Sequence, residues 1–343
     1  MRCLTLAEQL KKRKVCVSFV CRDLEGNLIN LIKDCDFSVF VLPKIKRTGT
    51  ADIFKWYKEN WQQDVCDTLN IITRYRSGID FLIIDHYGLD EKWESQIHPF
   101  TKKVMVIDDL ANRKHSCDIL LDQNLYINAQ ERYKRLVPPR CQQLLGPNYV
   151  LLREEFIRTS RQARIRNGEI QTILVFFGGT DPTNETLKTL DALVLLENNR
   201  KVHVVVGASN KRKNEIKEYC DRHSHFFFHC QVSNMAEMMN EADLAIGAGG
   251  TTTWERCYLG LPSITISIAE NQIELTEVVS QFGATIHLGS HHEVTSARIF
   301  ETVKDLIKHP KKVQILSERA SKLINPKIVN TYPVVEAMME ERK

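Results

Sequence analysis

Apolar residues run through this chain in two rhythms. Short unbroken apolar runs recur in the first half: KVCVSFVC (14–21), FSVFVLP (37–43), IDFLIIDHYG (79–88), KVMVIDDL (103–110) and CDILLDQN (117–124). Runs without polar alternation predict parallel strands covered on both faces. Between them lie stretches of helical spacing, such as EGNLINLIKDC and ADIFKWYKENWQQDVCDTLNIITRYRSG. Strand and helix in repeated succession predict a doubly wound α/β domain. Residues 151–171, LLREEFIRTSRQARIRNGEIQ, turn polar and basic, which sets a domain boundary near residue 160. The alternation then restarts, with QTILVFFGGTDP, KVHVVVGAS, FFFHCQV, DLAIGAGG and PSITISIAE as strands separated by helical patterns. Residues 296–343 read as a helical tail interrupted by the proline of INPK. The pattern predicts two α/β domains, 1–160 and 161–343, with a cleft between them and ligands at the carboxyl ends of strands.

The chain opens with a helix that has an end and no beginning. In MRCLTLAEQLKKRK, Leu4, Leu6, Ala7 and Leu10 form an apolar face and Lys11 to Lys14 a basic last turn. Basic residues suit a helix C-terminus. No Ser, Thr, Asp or Asn precedes the first turn to cap it, and no strand comes before it. The opening therefore reads as the middle of a strand–loop–helix unit.

Composition narrows the function classes. A net charge of +4 with 26% charged residues gives no concentrated basic surface, which argues against nucleic-acid binding. KRLVPPR and NKRKNEIK read as solvated helix faces. The ten cysteines include no C-x-x-C pair and no zinc spacing, so they read as reduced, buried thiols of a cytoplasmic protein. Glu8, Gln9 and Lys11 interrupt any signal-peptide core, and no apolar run is long enough to span a membrane.

Two glycine turns carry the strongest chemical signal. In LVFFGGTDP a buried strand runs into Gly178, Gly179, Thr180 and Asp181, with a helix expected near Pro182. The free N–H groups of such a helix suit an anion, although a plain β-α turn has the same sequence. In DLAIGAGGTTTWER the glycines are Gly247, Gly249 and Gly250, and Thr251, Thr252 and Thr253 offer caps and hydroxyls for a diphosphate. Glu255, expected in the first turn of the next helix, suits a ribose diol or simply complements the helix dipole. The dinucleotide pattern is absent, because no acidic residue follows a second strand. In GLPSITISIAENQIE, Asn271 and Gln272 stand at a strand end, where amides suit sugar hydroxyls or start a helix. Asp85, His86 and Tyr87 end another strand, as an acid–base group or as a core histidine beside a packing tyrosine. Arg153 reaches an anion or pairs with Glu154 or Glu155. Asp34-Cys35-Asp36 imitates a D-x-D metal motif without its surroundings, and Asp108-Asp109 reads as a turn cap. His291-His292 lacks a partner ligand at metal spacing, and NMAEMMN reads as core.

GGTDPTNETLK, VSNMAEMMNEADLAIGAGGTTTWERCYLGLPSI and ENQ resemble the C-terminal half of the MurG family, of the glycosyltransferase B fold. With MRCLTLAEQL, SFVCRDLEGNL, LIIDHYGLD, DILLDQN and LLREEF, the whole chain looks like the PseG and SpsG family. The resemblance implies two Rossmann-like doubly wound domains and hydrolysis of a UDP-activated diacetamido-trideoxy sugar. Water would attack C1 with inversion and UDP would leave, in pseudaminic acid or related surface or spore-coat polysaccharide synthesis. No metal and no cofactor are called for; the partner is a UDP-sugar. Carried over by position, Gly178, Gly179, Thr180, Gly250, Thr251 and Thr252 would hold the UDP diphosphate. Glu255 would bind the ribose, Val232 and Ser233 would border the uracil, and Arg153, Asn271 and Gln272 would contact substrate. Tyr87 would assist near the sugar. The family's base is a histidine ending a Gly-x-Gly-His loop that follows a first strand, and both would stand before Met1. The first strand and loop of the first domain are thus missing, and a start placed at an internal methionine explains this better than a shortened binding protein. The chain as written is expected to hydrolyse poorly. A glycosyltransferase of the same fold and a non-catalytic UDP-sugar-binding protein are the alternatives.

Overall fold

The computed structural model describes residues 1–24, 26–45, 53–74, 78–162, 164–196 and 200–340. The chain forms two compact units. The first holds Met1–Asn124, Asn128–Leu151 and Thr331–Lys343; the second holds Leu125–Ile127 and Leu152–Asn330. The division therefore falls at Leu151 and Leu152 rather than near residue 160, and the end of the helical tail belongs to the first unit.

In the first unit α1 (Arg2–Lys12), β1 (Ser18–Arg22), α2 (Ile29–Asp34), β2 (Ser38–Leu42), α3 (Ile53–Ile72) and β3 (Phe81–Ile84) come first. Then follow α4 (Glu91–Ile97), β4 (Lys103–Ile107), β5 (Ile119–Asp122), α5 (Ala129–Arg132) and β6 (Gln142–Leu145). The second unit begins with α6 (Glu154–Ser160), β7 (Thr172–Phe176), α7 (Glu185–Leu193), β8 (Lys201–Val206) and α8 (Lys213–Asp221). It continues with β9 (Phe226–Cys230), α9 (Met235–Glu241), β10 (Leu244–Ala248), α10 (Thr251–Tyr258) and β11 (Ser263–Ser267). α11 (Ile273–Gln281), β12 (Ile286–Ser290), α12 (Ser296–Lys308), α13 (Pro310–Lys322) and α14 (Pro326–Val329) complete it, and α15 (Pro333–Glu340) closes the first unit.

The second unit is a six-stranded parallel sheet in the order β12-β11-β10-β7-β8-β9. Its central strands are the apolar runs of the sequence: β10 and β11 are buried throughout, because helices cover both faces. α12 shows how such a helix forms. Thr295 caps it by accepting from the Arg298 N–H, and Ile299, Val303 and Leu306 fall on one buried stripe. Strand order reverses between β7 and β10, which is where ligands settle in doubly wound sheets.

In the first unit β3-β4-β5-β6 form one parallel sheet and β1-β2 another. In the second unit β7 joins β8 to β10 in one sheet, whereas among the described residues no strand joins the β1-β2 pair to β3. β1 and β2 are accordingly mostly half-buried or exposed, whereas β4 and β5 are buried almost throughout. Burial on both faces, expected of every apolar run, fails for β1 and β2. α15 lays Val334, Val335 and Met338 on Leu6 and Leu10 of α1 in one core. All ten cysteines are free, but Cys16, Cys66 and Cys230 are exposed, against the expectation of buried thiols. Among the described residues no helix is long and apolar enough to cross a membrane.

Candidate functional site

The two glycine turns leave adjacent strands at the same level of the second unit's sheet, since Gly247 of β10 pairs with Phe176 of β7. Gly247 has to be glycine: a Cβ there would stand 2.2 Å from the Phe176 carbonyl oxygen. Gly250 holds a φ of +114° and is itself the N-cap of α10, a conformation side chains rarely adopt. The expected threonine cap is therefore absent, and no side chain caps α10. Thr251 is exposed and Thr252 half-buried at this helix start. Gln272 lies beside it, its amide nitrogen 3.7 Å from where a Gly250 Cβ would sit, while its carbonyl oxygen accepts from the Ile268 N–H. Asn271 is exposed in the same 3₁₀ turn, Glu270–Gln272.

The turn after β7 differs in charge. α7 begins at Glu185 rather than near Pro182, and its first N–H groups are taken. The Asp181 carboxylate accepts from the Glu185 and Thr186 N–H groups, each at 2.9 Å. An anion has no helix N-terminus to meet here, which corrects that part of the sequence reading. Gly178, Gly179 and Thr180 remain at the surface of the turn, Gly178 with a φ of +86°.

Glu255 is the fifth residue of α10, in its second turn and not its first. The residue is 6% exposed. Oε1 accepts from Arg153 Nε at 3.1 Å and Nη2 at 3.0 Å, and Oε2 is buried without a partner. Burial pushes the Glu255 carboxyl up, against the pull of Arg153. Arg153 also pairs with Glu155 at 2.5 Å, as one sequence reading had it, and lies over the Phe156 ring. Glu155 in turn accepts from the Ala236 N–H in the first turn of α9. Val232 and Ser233, half-buried and exposed, precede that turn. A single chain of contacts therefore links the start of α9 to Glu255 on α10.

Arg256 escaped the sequence reading, although it stands four residues after Thr252 and three after Thr253 on one helix. It is 2% exposed and donates to the Ala248 carbonyl and to the Thr252 and Thr253 hydroxyls. Arg166 also went unnoticed. Its guanidinium donates to the carbonyls of Met239, Asn240 and Ala242 at the end of α9 and of Leu259 and Gly260 after α10. It thereby holds the C-termini of the two helices that flank β10.

In the first unit polar groups gather at the carboxyl ends of β3, β4 and β5. Arg2 forms a two-pronged pair with Asp85, at 2.7 and 3.0 Å, and reaches Asp109 at 3.1 Å. Tyr87 is hydrogen-bonded to Asp109, and burial raises its hydroxyl well above the ordinary range. His86 is packed edge-on against Tyr57, and its Nδ1 accepts from the Gly88 N–H. Burial lowers it to about 4. The packing partner is thus Tyr57, not Tyr87. Asp108 accepts from the Ala111 N–H as a turn cap, as its sequence suggested.

Residues 172–332 match the glycosyltransferase family 28 C-terminal domain. Among curated relatives, the chain is 28% identical over 282 residues to the uncharacterized protein MJ1062 of Methanocaldococcus jannaschii, covering 80% of this chain and 53% of that one. The chain thus spans about half the length of that relative. It is 28% identical over 272 residues to the UDP-2,4-diacetamido-2,4,6-trideoxy-beta-L-altropyranose hydrolase of Campylobacter jejuni, covering 79% of this chain and 86% of the hydrolase. To the spore coat polysaccharide biosynthesis protein SpsG of Bacillus subtilis it is 24% identical, covering 68% of this chain and 70% of SpsG. MurG of Acinetobacter baumannii has a similar structure, with a TM-score of 0.63 at 13% identity over 98% of this chain and 95% of MurG. The chain therefore has the glycosyltransferase B fold, its residues 172–332 match the family 28 C-terminal domain, and it is a homologue of the UDP-diacetamido-trideoxy-altropyranose hydrolases and of SpsG.

Proposed function

We propose that this protein binds a UDP-activated diacetamido-trideoxy sugar and releases UDP from it by hydrolysis. The observation that carries the reading is the uncapped start of α10 at the strand-order reversal, beside the unpartnered carboxylate oxygen of Glu255. A helix N-terminus without a side-chain cap favours a diphosphate through its free N–H groups and its dipole. The open Glu255 oxygen accepts from a ribose hydroxyl. Val232 and Ser233 border the base, Gly178 to Thr180 line the turn opposite, and Arg153, Asn271, Gln272 and Tyr87 are the substrate-contacting side chains of the reading.

In the reaction, a water oxygen bonds to C1 as the C1–O bond breaks, and the bonding pair leaves on the UDP β-phosphate oxygen. The transition state resembles an oxocarbenium ion. Charge grows on the departing diphosphate, where the start of α10 stabilises it. The water must also lose a proton. His86 is a poor acceptor, since its Nδ1 already takes the Gly88 N–H and burial depresses its basicity. The residues described here therefore bind the nucleotide and stabilise the leaving group, and the proton of the water passes to solvent.

UDP release from the UDP-sugar, measured without any acceptor, tests this. Release of UDP in proportion to the protein added is expected. Release that requires an added sugar acceptor would move the protein to the transferases. Tight UDP binding without release would make it a binding protein.

A further inference from the structure

Behind the turn Gly247–Thr252 lies the buried guanidinium of Arg256. Among the described residues no carboxylate comes within ion-pair distance of Arg256. The neighbouring Glu255 gives one oxygen to Arg153 and leaves the other unpartnered. The acceptors of Arg256 are all neutral: the Ala248 carbonyl at 2.9 Å, Thr253 Oγ1 at 3.1 Å and Thr252 Oγ1 at 3.4 Å. Its Nε is buried without a partner, and its Nη1 would stand 3.3 Å from a Cβ at Gly247. Taking a cation out of water is costly unless something compensates it. Burial lowers its pKa to about 10, with the neighbouring Glu255 carboxylate offsetting part of that cost.

We infer that Arg256 is a positioning residue for a diphosphate: it shapes the glycine turn from behind and places a buried positive charge beneath it. This deepens the function proposed above and rests on it. By donating to Thr252 Oγ1, Arg256 occupies a lone pair of that hydroxyl and leaves its proton free to point outward, toward a phosphate oxygen. By donating to the Ala248 carbonyl, it fixes the last residue of β10 and so the line on which Gly249 and Gly250 leave the sheet. The anion contacts the front of the turn; Arg256 need not touch it.

The test compares the whole chain with Arg256→Met and Arg256→Lys, using UDP, uridine and inorganic pyrophosphate as probes in calorimetric titrations and thermal unfolding. Arg256→Met keeps the volume and removes the charge. Its ligand-free melting temperature is expected to fall, because the buried Ala248 carbonyl loses its donor, and binding is read below that temperature. Its affinity for UDP and for pyrophosphate is expected to fall about tenfold, the usual scale for one charge-assisted interaction, with uridine unchanged. Arg256→Lys, which keeps the charge and loses the forked donors, is expected to fall between. If Arg256→Met binds UDP as tightly as the unmodified protein, or loses uridine equally, the inference is overturned. Should Arg256→Met fail to fold, Arg256→Lys decides by the same criterion. If the unmodified protein binds pyrophosphate but neither UDP nor uridine, the nucleotide reading fails while Arg256 is still tested with pyrophosphate; if it binds none of the three, both fall.

Discussion

Glu255 offers the sharpest test of how the nucleotide is held. Its carboxylate is already desolvated, and one oxygen is locked by two Arg153 donors while the other has no partner. A ribose hydroxyl that donates to Oε2 therefore gains a hydrogen bond to a charged acceptor without a new burial cost on the protein side. Such a bond contributes about 2 kcal/mol, or roughly 30-fold in affinity. In Glu255→Gln the amide oxygen can keep Arg153 while the NH2 faces the ribose, so an acceptor becomes a donor and the charge is lost. Calorimetric titration of both proteins with UDP and with 2′-deoxy-UDP closes a cycle. The unmodified protein should prefer UDP by about tenfold or more. Glu255→Gln should bind UDP more weakly and show almost no preference between the two. An undiminished preference in Glu255→Gln would refute the ribose assignment whatever the absolute affinities. Stability gives an independent check. A carboxyl whose folded pKa lies above its unfolded value stabilises the fold below the unfolded pKa and loses that contribution as pH rises through the folded value. Burial raises Glu255, so Glu255→Gln should lack this decline and melt no lower than the unmodified protein at neutral pH.

Two further outcomes follow from buried groups. Arg166→Met removes a cation that satisfies five backbone carbonyls at the ends of α9 and α10. It should cost about 3–5 kcal/mol, read as a lower urea midpoint from the fluorescence of Trp254, with Trp56, Trp61 and Trp93 changed to Phe; an unmoved midpoint would contradict the clamp. His86 is lowered from 6.5 to about 4, so it must be neutral to stay packed. Its contribution is complete above pH 6.5 and lost as pH falls toward 4, a swing of about 3 kcal/mol. His86→Gln should flatten the stability profile across that window, and an unchanged slope would show that His86 is not its source.

The fold was legible where apolar runs are continuous, as in KVMVI of β4 or LAIGA of β10, because a strand buried on both faces admits nothing else. β6, with the sequence QQLL, and β12, IHLGS, carried too little apolar signal and were missed. The boundary slipped for a related reason. LLREEFIRTS looks like a polar linker, yet Phe156 and Ile157 are buried on one face of α6. In the candidate site the glycine turns were visible because few other residues tolerate those backbone shapes. Their occupancy was not visible, since hydrogen-bond partners depend on where a helix starts. A start at Glu185 rather than near Pro182 turns Asp181 from a turn residue into the cap of α7. Arg153 and Glu255 lie 102 residues apart, and no local pattern links them.

The two glycine turns look alike in sequence and differ in electrostatics, and the difference lies in single side chains behind them. At the end of β7 the Asp181 carboxylate occupies the start of α7 with a negative charge of its own. A diphosphate there would displace an existing cap and meet like charge. At the end of β10 the helix start has no side-chain cap, and the charge beneath it is the positive one of Arg256. Arg153 pairs with both Glu155 and Glu255, two carboxylates against one cation, and the charge of Arg256 makes up the difference. Lying beneath the turn, Arg256 still attracts an incoming anion, and salt screens that attraction little because the group is buried. The same comparison explains why Glu255 is tolerated so close to a diphosphate. Arg153 and Arg256 offset its charge, and its position in the second turn of α10 directs it to the neutral ribose rather than to the phosphates at the helix start.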